Sequence, residues 1–279
     1  MNLAMRSHIS EALAAALDQY RSGNLLEAER ICRQILEVDP DQADALAALG
    51  NVLRDQGRLE EALACYRRAL ASRPGSAEDH NALGVLWYDW GDLDQAAACF
   101  RRVLELRPDS PEAYLNLGTV LSDQRKLDEA AACYARALEL RPQYAEAHCN
   151  LGTVRADQGK FDEAIACYRR ALALKPDSAA AHRNLGNALR EQGKLDGAIA
   201  CYRRALELDP HSAEVYCDLG NALREQGKLD AAIACLQRAV ELKPDFAKGY
   251  YALGGAWGHR SDLEAAIACF RRALELKPD

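Results

Sequence analysis

The chain has 279 residues, 42 of them acidic and 35 basic, with a formal charge of −7. These values, with 49% hydrophobic residues, exclude wholesale disorder. The negative balance argues against a general nucleic-acid binder, whose affinity comes from neutralising phosphates, and no stretch approaches the ~18 uncharged apolar residues of a membrane span. The early apolar run from Ala12 to Leu17 lies between Glu11 and Asp18 and reads as too short and too charged for a secretory signal. Aromatics make up only 6%, so the core is built mainly from Ala and Leu. That favours close-packed helices over a sandwich or barrel, which draw on β-branched and aromatic residues.

A 34-residue period runs through the chain without a gap. The repeats are 9–42, 43–76, 77–110, 111–144, 145–178, 179–212, 213–246 and 247–279. Eight prolines, from Pro40 to Pro278, share position 32 of the period. Ala fills position 20 in every repeat, and Gly fills position 8 in seven, from Gly50 to Gly254. Small residues at these places let helix backbones approach, with larger residues filling between them.

In chain order, the first repeat departs from the pattern with Ala16 at position 8. The third adds Tyr88 and Trp90 near a helix end. The fourth opens on Pro111, which suits a first helical turn, where its missing N–H costs nothing. The sixth shows the two-helix pattern most plainly. A first helix is predicted over Ala180 to Gln192, broken by Gly193. A second starts near Asp196, whose carboxylate suits the helix N-terminus. Ile199, Tyr202, Ala205 and Leu206 give it an apolar stripe, and Pro210 ends it. The eighth repeat carries Gly254, Gly255 and Gly258 inside its first predicted helix, which should weaken that helix by up to ~1 kcal/mol per Gly.

Tyr114, Leu117, Gly118, Leu121, Ala130, Tyr134 and Pro142 resemble the tetratricopeptide-repeat pattern W-x2-L-G-x2-Y, A-x3-F, P. Residues 9–279 share the resemblance. It implies an all-α fold, a right-handed α-solenoid of about eight stacked helix-turn-helix repeats, expected as one array over 1–279. It also implies that the first helices line a concave face.

Seven cysteines, Cys65 to Cys269, recur every 34 residues. Stacked helices lie roughly 8–10 Å apart, beyond the ~7 Å Cα separation of a disulfide. The column therefore reads as small apolar packing residues in a reducing, cytoplasmic compartment. His80, His148 and His182 share position 4, at least one repeat apart, too far to share a metal. Arg pairs such as Arg101–Arg102 and Arg203–Arg204 precede Glu105 and Glu207 and read as ion-paired solvated faces. No phosphate loop, H-E-x-x-H or G-x-S-x-G occurs. The expectation is therefore no catalysis, no metal and no cofactor.

Function is expected on the first helices. Position 6 carries Asn116, Asn150 and Asn184 in consecutive repeats, then Asp218, and position 9 carries Asn187 and Asn221. An Asn side chain offers both a donor and an acceptor, so a column of them suits a peptide backbone. Position 13 is acidic in six repeats, from Asp55 to Glu225, and reads as a solvated rim.

The column resembles the asparagine ladder in the repeat arm of O-linked N-acetylglucosamine transferases. That resemblance implies substrate contacts for Glu112 and Glu146, four residues before Asn116 and Asn150. A second family mode, the clamp for chaperone tails, is represented by Arg183, Asn187 and Lys248, while Asp218 and Ala252 depart from it. The main expectation is a non-catalytic scaffold holding an extended protein or peptide ligand in the groove. The alternative is the recruiting arm of a longer transferase, with Pro278–Asp279 ending one residue short of a full repeat. A third reading is self-association through the exposed C-terminal repeat.

Overall fold

The computed structural model describes residues 3–277, and among them it has sixteen α-helices and no strand. The chain forms two compact units, Met1–Arg141 and Pro142–Asp279. The first holds α1 (Leu3–Arg21), α2 (Leu25–Val38), α3 (Ala43–Asp55), α4 (Leu59–Ser72), α5 (Ala77–Trp90), α6 (Leu93–Leu106), α7 (Pro111–Asp123) and α8 (Leu127–Leu140). The second holds α9 (Ala145–Asp157), α10 (Phe161–Leu174), α11 (Ala179–Glu191), α12 (Leu195–Leu208), α13 (Ala213–Glu225), α14 (Leu229–Leu242), α15 (Ala247–His259) and α16 (Leu263–Leu276). Each repeat contributes one antiparallel hairpin. Within each unit the second helix of one hairpin packs on the first helix of the next. The chain end at Pro278–Asp279 lies outside the described residues.

Local chemistry sets the helix ends. The hydroxyls of Ser76, Ser110, Ser178 and Ser212 accept from backbone N–H groups in the first turns of α5, α7, α11 and α13. These bonds satisfy donors that a helix start leaves open. Inside each hairpin, position 15 has positive φ: Gly57 at 77°, Gly193 at 72°, but Arg125 at 62° and Ser261 at 69°. Glycine adopts that conformation without a Cβ clash.

The core repeats with the period. Tyr66, Phe100, Tyr134, Tyr168 and Tyr202 are buried, and each ring lies against the glycine at position 8 of its own hairpin. A Cβ on Gly118 would come within 2.7 Å of the Tyr134 ring. The first repeat makes the same contact region from smaller parts, with buried Ala16 and Cys32 in one core cluster. Helix α15 runs unbroken through Gly254 and Gly255, and the Phe270 ring occupies the space over Gly254. Gly254 therefore packs as the other position-8 glycines do.

All ten thiols are free, and Cys32, Cys65, Cys99 and Cys217 are buried. The second helices carry the expected ion pairs at i,i+3, among them Arg102–Glu105 at 2.7 Å, Arg204–Glu207 at 2.8 Å and Arg272–Glu275 at 3.0 Å. The histidines at position 4 are tied down locally: His80, His148 and His182 place Nε2 3.0–3.1 Å from the carbonyls of Pro74, Pro142 and Pro176. No helix among the described residues is long and apolar enough to cross a membrane.

Candidate peptide-binding face

In each compact unit the first helices neighbour one another: α3 packs near α1 and α5, and α11 near α9 and α13. Their polar side chains form one face per unit, and the candidate residues divide between the two. Asn116 and Glu112 lie in the first, and Glu146, Asn150, Arg183, Asn184, Asn187, Asp218 and Asn221 in the second.

Position 6 is not a column of free side chains. In the fourth and seventh repeats it bonds to position 5 of the preceding repeat. Asn116 Nδ2 donates to Asn81 Oδ1 at 3.1 Å. Arg183 Nε donates to Asp218 Oδ2 at 2.7 Å. Burial raises the pKa of the Cys149 thiol, and the Asn184 side chain near it opposes that shift only in part. The sequence reading expected Asp218 to continue the ladder as a groove carboxylate. Instead it is 3% exposed and committed to Arg183, with Lys248 Nζ 3.9 Å from its other oxygen. A buried carboxylate needs such partners, because an unpaired charge there is costly.

The acids at position 2 also split. Glu112 pairs with Arg141 of its own repeat. Burial pushes its carboxyl pKa up, but a backbone hydrogen bond and Arg141 outweigh that and lower it. Glu146 is exposed and has no ion-pair partner among the described residues. With Asn150, Cys149, Lys175 and Ser178 it lines a recess of about 230 Å³ in the second unit.

Position 9 is controlled from below. The Tyr66 and Tyr202 hydroxyls donate to Asn51 Oδ1 and Asn187 Oδ1, each at 2.7 Å. This leaves the Asn187 NH₂ group for a ligand acceptor. In the fourth and fifth repeats Thr119 and Thr153 take that place. Their hydroxyls accept from Tyr134 and Tyr168 at 3.2 Å and donate to the Leu115 and Cys149 carbonyls. Asn221 makes a weaker contact, Nδ2 to Cys217 Sγ at 3.7 Å.

The acidic rim at position 13 is tied across repeats in the same manner. The Tyr20 hydroxyl donates to Asp55 at 2.6 Å and the Tyr88 hydroxyl to Asp123 at 2.7 Å. The bond to Asp123, with burial, pushes the Tyr88 phenol up to about 12. Arg54 and Arg190 lie 3.7 and 3.8 Å from Asp89 and Glu225. In every one of these pairs, as in Asn81–Asn116 and Arg183–Asp218, the partners are 35 residues apart. Reading donors against acceptors at that offset, one more than the period, would have found them. Trp90 stands outside this scheme, half exposed and stacked on Trp87 with ring centroids 5.6 Å apart. Among the described residues no three His, Cys, Asp or Glu side chains gather to hold a metal ion.

Models described as "Tetratricopeptide repeat" match residues 13–77, 109–177, 149–213, 201–234 and 247–279, and a "TPR repeat" model matches 86–124 and 220–256. A search of the curated proteins gave no match. Among solved structures, the chain is similar to one in the APC/C hetero-tetramer Cut9–Hcn1, with TM-score 0.68 and 20% identity over 91% of this chain. This chain spans 50% of that one. A tetratricopeptide repeat protein from Parabacteroides merdae superposes with TM-score 0.67 at 18% identity, covering 93% of this chain and 98% of the other. YrrB, described as a TPR protein with an unusual peptide-binding site, is 27% identical with TM-score 0.55, covering 66% of this chain and 95% of its own. The first two likenesses establish the all-α helical-repeat fold, and the repeat models establish the rest: this chain belongs to the tetratricopeptide-repeat family.

Proposed function

We propose that the first-helix face binds an extended segment of a protein partner without chemistry, and that in the second compact unit Asn150, Asn184 and Asn187 hold its backbone. The observation that carries this reading is the fixing of Asn187 from behind. Asn187 is oriented by the Tyr202 hydroxyl, so an amide group on α11 is set before a ligand arrives. Side chains already fixed lose less entropy on binding, which favours affinity. Glu146, exposed beside Asn150 in its recess, adds a carboxylate that suits a basic or hydroxyl side chain of the ligand. In the first unit Asn116 is bonded to Asn81 and Glu112 to Arg141, so any ligand contact there competes with internal bonds.

YrrB supports the reading by likeness, since its description names a peptide-binding site. Ten free thiols support a reducing, cytoplasmic setting for this chain. The test is capture of partners from a peptide array by the wild type and by an Asn150→Ala/Asn184→Ala variant. Loss of two hydrogen-bonding side chains should weaken the captured peptides about tenfold or more. Equal affinity for both proteins would remove the ladder from the account.

A further inference from the structure

At four hairpin turns the side chain at position 14 reaches the acid at position 18 of the preceding repeat, 30 residues back. Gln124 Nε2 donates to Asp94 at 2.8 Å, Gln192 Nε2 to Asp162 at 2.7 Å and Gln226 Nε2 to Asp196 at 2.6 Å. Arg260 pairs with Asp230 at 3.0 Å. The third repeat breaks this rule. Its position 14 is Trp90, and the acid 30 residues back is Glu60, exposed and without an ion-pair partner among the described residues. Trp90 forgoes the bridge and leaves an indole 39% exposed.

The eighth repeat shows how such a turn holds a cation. Arg260 lies over the Trp257 ring, 5.5 Å from its centroid, while its guanidinium reaches Asp230. Trp257 stands at position 11, as Trp87 does in the third repeat. Trp90 stacks on Trp87, so an indole takes the place that a guanidinium takes over Trp257. The stack covers one face of Trp90, and the rest of the ring borders a recess of about 690 Å³ that Asp92, Leu93, Asp94, Gln124 and Lys126 also line. Asp92 Oδ1 caps α6 through the Gln95 N–H, and Asp94 Oδ1 accepts from Gln124, so each carboxylate keeps a second oxygen. Neither acid has an ion-pair partner among the described residues, and Lys126 donates to Gln124 Oε1 at 2.9 Å. Two carboxylates against one ammonium give the recess an acidic balance.

We propose that this turn docks an arginine side chain from a segment of a partner protein. The guanidinium stacks on the open face of Trp90 and pairs with Asp92 and Asp94. The partner thereby supplies the cation that Arg260 supplies from within the eighth repeat. Arginine is favoured over lysine because its planar group both stacks on an indole and bonds carboxylates in a fork. The site is built from a hairpin turn and the start of α6, apart from the amide columns of the first-helix face, and does not depend on them.

The test uses three fluorescein-labelled dodecapeptides with identical Gly/Ser flanks and the centres Arg-Gly-Arg, Lys-Gly-Lys and citrulline-Gly-citrulline, citrulline being the uncharged isostere of arginine. Binding to the full chain is read by anisotropy at low salt and by NMR of the indole Nε1–H groups. The arginine peptide should bind about fivefold or more tightly than the citrulline peptide and about twofold or more tightly than the lysine peptide. It should shift the Trp90 resonance and leave that of Trp257 in place. Trp90→Gln, which matches Gln124 and Gln192 at the sister turns, should erase the preference for arginine, and Trp90→Phe should keep part of it. Asp92→Asn/Asp94→Asn keeps both internal acceptors, removes the charge and should also weaken the preference, with circular dichroism unchanged in all three variants. Equal binding of the arginine peptide and either of the others, no binding, an unshifted Trp90 resonance, or a preference that survives Trp90→Gln would overturn the proposal. So would concentration-dependent dimerisation that shifts Trp90 without peptide, since a second copy would then be the occupant.

Discussion

The Tyr202 hydroxyl crosses its own hairpin and donates to Asn187 Oδ1 at 2.7 Å, so a buried ring on α12 orients an amide on the opposite side of α11. Tyr202→Phe keeps the ring against Gly186 and removes only that bond. Urea unfolding should show a loss of about 0.5–1.5 kcal/mol, the usual worth of one such hydrogen bond. An unchanged midpoint would mean that water replaces the hydroxyl without loss.

Two glycine substitutions should move stability in opposite directions. Gly118→Ala drives a Cβ to 2.7 Å from the Tyr134 ring. The strain of overpacking, typically 1–3 kcal/mol, exceeds the ~1 kcal/mol that Ala gains over Gly inside a helix. Gly258→Ala, in α15, meets nothing within 4 Å and should gain up to about 1 kcal/mol. Thermal melts of the two variants check both signs, and two shifts in the same direction would refute the steric account.

Asp79 is a buried acid, 2% exposed, where the neighbouring repeats carry Ala45 and Ala113. Its carboxylate lies 3.1 Å from an Arg73 guanidinium nitrogen, and Arg73 also pairs with Asp44. Asp79→Ala therefore leaves Arg73 with a partner and removes the desolvation of one carboxylate. The variant should be more stable by about 1 kcal/mol, since buried ion pairs often return less than their burial costs. Denaturant titration showing a loss instead would mean that Arg73 depends on both acids.

Burial pushes the thiols of Cys32, Cys99, Cys133 and Cys217 up to about 11, from an ordinary value of 9.0. Between those values the unfolded chain releases protons that the folded chain retains. Stability from these groups is therefore complete below pH 9 and is lost as pH rises through 11. Melting temperature, followed in reductant from pH 8 to 11, should stay level at first and then fall. Replacing Cys99 and Cys133 with Ala should flatten that fall, and an identical alkaline slope in the variant would assign it to other groups.

The period alone fixes the helices closely: Ala180 to Gln192 is expected where α11 spans Ala179–Glu191. Apolar spacing recurs in all eight repeats and the turn glycine in six of them, and both are local signals, so errors average out. The polar face was harder to read. Columns at a single position show what each repeat offers, but the bonds run diagonally, from position 5 to 6 and from 12 to 13. Asp218 looked like a ladder rung because its column contained amides; only its partner 35 residues back, Arg183, shows why an acid stands there. The division into compact units at Arg141 has no counterpart in the period, which passes through that point unbroken.

Because Arg183 and Asp218 belong to different repeats, the 34-residue blocks are not interchangeable cassettes. A recombination event that excised 179–212 would keep the reading frame and the helical rhythm. It would also bring Cys149 to the place Arg183 now fills, leaving Asp218 with Lys248 alone at 3.9 Å. Removing one member of a buried ion pair typically costs about 3–5 kcal/mol. Gene shortening or expansion at that seam thus requires a compensating change in the adjoining block, and the order of the repeats is held in place by their mismatched edges.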